Sequence, residues 1–255
     1  MRLQGKTALI TGSDQGIGQG IAIRYAQEGA DVVINYRRNR TGGEQTKADI
    51  EKLGRRTAVI QADVSKVGET QRLFDEAVRQ VGPIDILVNN AGIEIRADIF
   101  DIKEEDYRTV VDTNMTGPLV LTQAFARYAR EHQRTGKIIN ISSVHEELPF
   151  PNFTPYCMAK SGMKMMMRNV AIELAPLGIT VNNIAPGAIE TPINTKLLND
   201  PKLLSELLAN IPLGRLGQPN DVSGLCAFLA SSDADYITGA TFFVDGGLTW
   251  NYSEQ

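Results

Sequence analysis

Two cysteines, Cys157 and Cys226, and two histidines, His132 and His145, are all that the 255 residues contain of those types. So few thiols exclude a disulfide framework and a zinc site built from four cysteines, and so few imidazoles exclude a histidine-rich centre; no metal is expected. No run of about 18 apolar residues occurs, which excludes an ordinary spanning helix. The opening MRLQGKTALITG lacks the apolar stretch of a secretory signal, so the expected location is cytoplasmic. Positive charge is not in excess: 26 Lys+Arg stand against 30 Asp+Glu, a net charge of −4. Neither nucleic acid nor an anionic membrane is therefore an expected partner. Low-complexity tracts and Pro/Ser-rich linkers are also missing, and residues 1–255 read as one domain long enough to bury a sizeable core.

What is present is an alternation of short apolar runs with helix-like segments. Strands are expected at Thr7–Thr11, Asp31–Tyr36, Thr57–Ile60, Ile84–Asn89, Lys137–Ile141, Ile179–Ile184 and Thr241–Val244. Helices are expected at Ile17–Glu28, Glu44–Leu53, Glu69–Val81 and over a long stretch from Glu104 to Arg130. The runs are continuously apolar rather than alternating, as in parallel strands covered on both faces. The fold class is α/β, built from right-handed βαβ units. Residues 191–218, with several prolines and a short helical segment, follow the sixth strand at the carboxyl edge of the expected sheet. Ligands bind at that edge, so this stretch is expected to act as a substrate lid.

The turn after the first strand reads Thr11-Gly12-Ser13-Asp14-Gln15-Gly16-Ile17-Gly18. Glycines there allow a tight turn, close approach of backbone to a pyrophosphate, and close helix–strand packing. The helix that follows offers unpaired N–H groups and a positive dipole end. The first gap of the motif is longer than in GxGxxG.

Tyr156 and Lys160 stand four residues apart and share a face if the segment is helical. Ser143 ends the fifth strand thirteen residues before Tyr156. A free phenol titrates near 10. A nearby ammonium and an oxidised nicotinamide would lower that value and fit the phenol for acid/base work on an alcohol or carbonyl, with Ser143 holding the reacting oxygen. Taken alone, the pair also fits a buried tyrosine beside a snorkelling lysine. The methionines 163, 165, 166 and 167 read as packing within the core or against another subunit.

Taken together, these residues resemble the short-chain dehydrogenase/reductase family. The motifs that carry the resemblance are TGSDQGIG at 11–18, Asp63 in ADV, Asn89-Asn90-Ala91-Gly92, Asn114, Ser143, YCMAK at 156–160, and Pro186-Gly187-Ala188-Ile189-Glu190-Thr191. They extend over essentially the whole chain. The resemblance implies a single-domain, Rossmann-like, doubly wound fold with a seven-stranded parallel sheet. It also implies catalysis by Ser143, Tyr156 and Lys160, with Asn114 holding a water in a proton relay to Lys160. Lys160 and Tyr156 would further contact the nicotinamide ribose. Asp63 and Val64 would lie beside the adenine, with Asn90, Ala91 and Gly92 along the groove. Pro186, Gly187, Ile189 and Thr191 would hold the carboxamide. Within the family, Val33–Arg37, Ile93-Glu94, SSVHE at 142–146 and Thr191–Asn194 are similar to bacterial glucose 1-dehydrogenases. That similarity implies oxidation of a sugar at its anomeric hydroxyl, with Glu94, His145 and Asn194 as candidate sugar contacts, and a homotetramer. A reductase of 3-oxoacyl thioesters or another small carbonyl, and a catalytically silent nucleotide-binding regulator, are the alternatives.

Cofactor choice rests on the end of the second strand, Asn35-Tyr36-Arg37-Arg38. No carboxylate stands where NAD-preferring enzymes bond the ribose 2′-hydroxyl. Arg37 or Arg38 could pair with a 2′-phosphate, although both could equally be solvated loop residues. NADP is the expected preference, with NAD also used.

Overall fold

The computed structural model describes residues 1–192 and 198–251. Seven strands form one parallel sheet: β1 (Thr7–Ile10), β2 (Asp31–Tyr36), β3 (Thr57–Gln61), β4 (Ile86–Asn89), β5 (Gly136–Ile141), β6 (Ile179–Pro186) and β7 (Thr241–Val244). Their order in space is β3-β2-β1-β4-β5-β6-β7, so the winding reverses between β1 and β4. The crevice beyond the carboxyl ends of those two strands is where such sheets bind ligands.

The continuously apolar strands are explained by cover on both faces. On one face Ala8, Ile10, Val32 and Ile34 pack against α1 (Gly16–Gln27) and against a late helix over Pro219–Leu229. On the other, Leu9, Val33 and Leu87 pack against α3 (Val67–Val81), and against two longer helices at Gly117–Glu131 and Thr154–Leu174. The remaining helices are α2 (Arg40–Lys52), α4 (Glu104–Val111) and α7 (Pro201–Ala209); in chain order the long pair are α5 and α6, and the late helix is α8.

Several element ends shift by a residue or two from the sequence expectation, and two larger differences have a visible cause. α2 begins at Arg40, four residues before the expected Glu44, because the Asn39 side chain caps it by accepting from Gly42 N at 3.1 Å. The helix expected from Glu104 to Arg130 is interrupted by a π turn at Asp112–Thr116. Residue periodicity carries no mark of one extra residue in a turn.

Candidate functional site

The glycine loop is held from below before anything can bind above it. Asn35, buried in β2, accepts from Gly12 N at 3.1 Å and donates to Ile60 O and Ala62 O on β3 and beyond. Ser13 is fully buried, donates to Ile10 O at 2.8 Å and accepts from Asn35 N. Asn90 donates to Thr11 O and Gly12 O. Gly12 and Gly16 have φ of +59° and +58°, where a side chain is strained. A Cβ on Gly18 would lie 2.3 Å from Gly12 O and 2.5 Å from Asn90 Nδ2. The first turn of α1 has no acidic residue and no side-chain cap, so its N–H groups face the groove uncompensated. These features fit a dinucleotide pyrophosphate.

The groove above the loop has a volume of about 310 Å³. Of the residues expected there, Gly12, Asp14, Gln15, Gly16, Ile17, Arg37, Arg38, Asp63, Val64, Asn90, Ala91, Gly92 and Thr191 all line it. Ser13, Gly18 and Tyr36 lie behind its wall: Ser13 ties the loop down, Gly18 lets α1 approach, and Tyr36 is buried near Gly43. Asn35, Ala62 and Ile93, which flank expected positions, line the groove too, and Asn39 and Thr113 line it without having been expected. Neither of these two sits in a recognisable motif: Asn39 caps α2 and Thr113 belongs to the π turn.

Charge in this groove is mixed. Arg37 Nη1 lies 4.0 Å from Asp63 Oδ2. Burial alone would raise the Asp63 carboxyl, but hydrogen bonds from Ser65 Oγ at 2.7 Å and Ser65 N at 3.0 Å, with Arg37 nearby, bring it below the ordinary range. Burial lifts the Asp14 carboxyl above it, only partly opposed by hydrogen bonds from its own backbone and Asn39.

A second cavity of about 1220 Å³ continues inward from the first and is mostly apolar. Ser143, Tyr156, Lys160, Glu94, His145, Pro186, Gly187, Ile189 and Thr191 line it. Asn194 lies outside the described residues. Ser143 caps a short turn at Val144–Glu146 by accepting from His145 N at 3.2 Å. Tyr156 and Lys160 lie one turn apart on α6, as their spacing predicts, and Lys160 Nζ is 5.6 Å from the Tyr156 ring centre. Lys160 is buried and donates to Ile141 O at 2.8 Å.

The electrostatics differ from expectation in one respect. Burial pushes the Tyr156 phenol well above its usual value, and a hydrogen bond with Ser143 only partly opposes this. Burial outweighs whatever lowers the phenol within the protein itself. Burial also lowers Lys160 to about 8, against the pull of Glu146. Burial raises the Glu94 carboxyl and lowers the His145 imidazole, the latter partly opposed by a hydrogen bond with the Leu148 backbone.

The π turn buries Asn114 behind Gly92, which lines both cavities; Asn114 itself lines neither. Its Nδ2 donates to Ile93 O and Val110 O, each at 2.8 Å, and its Oδ1 accepts from Ile93 N at 3.3 Å. A Cβ on Gly92 would meet this oxygen at 2.7 Å and lie 3.7 Å from Lys160 Nζ. One wall of the inner cavity is a stack of rings: His145 on Phe150 at 4.2 Å, and Phe150 on Phe153 at 4.1 Å. Among the described residues no cluster of His, Cys, Asp or Glu suits a metal ion, and no helix is long and apolar enough to cross a membrane.

Comparison with known proteins agrees with this geometry. The sequence profile of the family described as enoyl-(acyl carrier protein) reductase matches residues 12–249. A 3beta-hydroxysteroid dehydrogenase 1 from Eggerthella lenta is 43% identical over 97% of this chain and 95% of its own length. Glucose 1-dehydrogenase 2 from Bacillus subtilis is 39% identical over 97% and 96% of the respective chains. The crystal structure of a gluconate 5-dehydrogenase from Burkholderia cenocepacia, in complex with NADP and tartrate, superposes with a TM-score of 0.92 at 37% identity and covers 98% of each chain.

Proposed function

The chain belongs to the short-chain dehydrogenase/reductase family, and on that premise we propose that it interconverts an alcohol and a carbonyl compound with NADP(H), and also with NAD(H), through Ser143, Tyr156 and Lys160. The observation that carries this reading is the convergence of the three side chains on one cavity that opens into the glycine-loop groove. When bound, the nicotinamide supplies or accepts the hydride. The phosphates would rest on the α1 N-terminus and the loop, and the adenosine side on Arg37, Arg38 and Asp63. Pro186, Gly187, Ile189 and Thr191 would flank the inner end.

Ser143 holds the reacting oxygen by hydrogen bond. Tyr156 takes the hydroxyl proton in oxidation and returns it in reduction. Because burial raises the phenol, deprotonation depends on positive charge at Lys160, which stabilises the phenolate. Asn114 orders the backbone between Gly92 and the π turn, the position from which a relay to Lys160 would start. Of the expected lid at 191–218, residues 193–197 lie outside the described residues; Leu203, Glu206, Leu207 and Asn210 line the inner cavity, which supports a lid role for that part.

For substrate we propose a sugar hydroxyl, with the anomeric hydroxyl of glucose going to the lactone. The Bacillus subtilis relative carries that name, and Glu94 and His145 offer hydrogen-bonding groups on the cavity wall. A second reading has its own observation: the stacked His145, Phe150 and Phe153 and the mostly apolar lining suit a flat, fused-ring hydroxyl compound such as the steroid named for the Eggerthella lenta relative. A silent regulator is disfavoured by the presence of all three catalytic residues.

The test is a panel of glucose, galactose, xylose, a 3β-hydroxysteroid and a 3-oxoacyl thioester, read as nicotinamide absorbance with wild type and Tyr156→Phe. Turnover of an aldose, lost by at least about 100-fold in Tyr156→Phe with NADPH affinity kept, is the expected result. Turnover of the steroid alone replaces the sugar reading. Near-wild-type turnover in Tyr156→Phe removes the mechanism.

A further inference from the structure

Three asparagines in register lead across the sheet to a buried carboxylate. Asn89, Asn140 and Asn183 are paired positions on β4, β5 and β6. Asn89 Nδ2 donates to Asn140 Oδ1 at 2.9 Å, Asn140 Nδ2 to Asn183 Oδ1 at 2.9 Å, and Asn183 Nδ2 to Glu146 Oε2 at 3.2 Å. The same Oε2 accepts from Ser142 Oγ at 2.5 Å. Every amide in the row donates in one direction, so the dipoles align with their positive ends toward Glu146. Hydrogen bonds in such a row strengthen one another. Oε2 thus accepts from two side-chain donors at once.

The Glu146 side chain has no exposed surface, lines neither cavity, and lies 3.9 Å from Lys164 Nζ through Oε1. Oε1 has no hydrogen bond among the described residues. Lys160 stands one turn before Lys164, and its ammonium holds the carbonyl of Ile141. The next residue, Ser142, holds the carboxylate. A buried cation and a buried anion are thus fastened to consecutive residues of one chain segment. Either charge alone at this depth would be strongly penalised.

We infer that Glu146 is a positioning residue: it is the internal counter-charge that keeps Lys160 protonated beside Tyr156, and the asparagine row and Ser142 hold its carboxylate in place. The inference rests on the reading of Lys160 as the cation of the site. The depression of Lys160 to about 8 by burial, opposed by Glu146, agrees with it. Other titratable groups around the pair are Tyr156 and Lys164 on α6, and Glu94, whose charge acts on Tyr156. β5 and β6 contribute Asn140 and Asn183, Ser142 follows β5, and the π turn contributes Asn114; none of these four titrates. Glu147 is exposed and pairs with Lys164, and His145 stacks on Phe150.

The experiment follows Lys160 directly, by NMR of the protein labelled with 13C at lysine Cε, titrated over roughly pH 6–11. Loss of one signal in Lys160→Met identifies the resonance. The wild-type midpoint is expected near 8. Glu146→Gln lowers it by at least about half a pH unit, a threefold loss in proton affinity, and Glu146→Asp, which keeps the charge but draws it back by one methylene, lowers it by less. If Glu146→Gln does not fold, Glu146→Asp carries the test by the same downward shift. A midpoint that coincides with wild type in the folded variant overturns the inference. NADPH affinity and turnover of Lys160→Met are measured alongside. If both stay at the wild-type level, Lys160 leaves the catalytic site, whatever the titration shows about its pairing with Glu146.

Discussion

On the proposed reading cofactor choice turns on Arg37, and its surroundings decide how strongly. A guanidinium matches a 2′-phosphate well, and a charge-assisted hydrogen bond is worth about 1.5–3 kcal/mol, or one to two powers of ten in affinity. Here Arg37 already has Asp63 at 4.0 Å, and Asp14 lines the same groove. Both carboxylates subtract from the attraction, so the lower end of that range applies. Arg37→Asp is expected to shift the kcat/KM ratio toward NAD by about tenfold. The ratio for NADP over NAD, measured in wild type and variant under one salt concentration, checks this. An unchanged ratio would show Arg37 to be a solvated loop residue.

At the scale of elements, the glycine loop and α1 form a single unit with β2 and β4. Asn35 and Asn90 hold the loop from two strands, and Gly18 lets the helix start press against Gly12. Alanine is a better helix former than glycine by about 1 kcal/mol. The added methyl, however, would lie 2.3 Å from a backbone oxygen that cannot rotate away. Overpacking of that kind costs typically about 1–3 kcal/mol or more, so strain outweighs propensity. Gly18→Ala should therefore lower the thermal midpoint and weaken NADPH binding together, as read by calorimetry and fluorescence titration. A variant as stable as wild type, with full affinity, would refute this account of the loop.

At the scale of the whole molecule, α6 has two differently used faces. Met163, Met167 and Ala171 are buried against the sheet, while Met158, Met165 and Ile172 are exposed. The exposed three are seven residues apart, which puts them in one row along the helix. Leu119 on α5 is exposed too, as are Ile99 and Phe100 before α4. A monomer has little reason to leave such a row in water. We expect α5 and α6 to pair with a second copy across a two-fold axis, and the edge strand β7 to pair across another, giving a homotetramer. Light scattering at micromolar concentration should give four times the 27.9 kDa chain mass; a monomeric mass would refute it. Met165→Glu on the exposed row should dissociate the pair without unfolding the chain.

Some of this was legible in one dimension because its cause is local. Apolar runs interrupted by glycine and helix-like segments specify a covered parallel sheet, since strand periodicity and helix periodicity are properties of neighbouring residues. The glycine loop and the Tyr156–Lys160 spacing are local for the same reason, and the tertiary structure places both where the spacing implied. Other features depend on residues far apart in sequence. Asn89, Asn140 and Asn183 become neighbours only through strand register, and no spacing rule links them to Glu146. The π turn that aims Asn114 depends on a single extra residue held by the backbone around Ile93. Proximity of a lysine to Tyr156 was visible in one dimension, and the desolvation that raises the phenol was not. Burial is a property of everything packed around a group, and it exists only once the chain has folded.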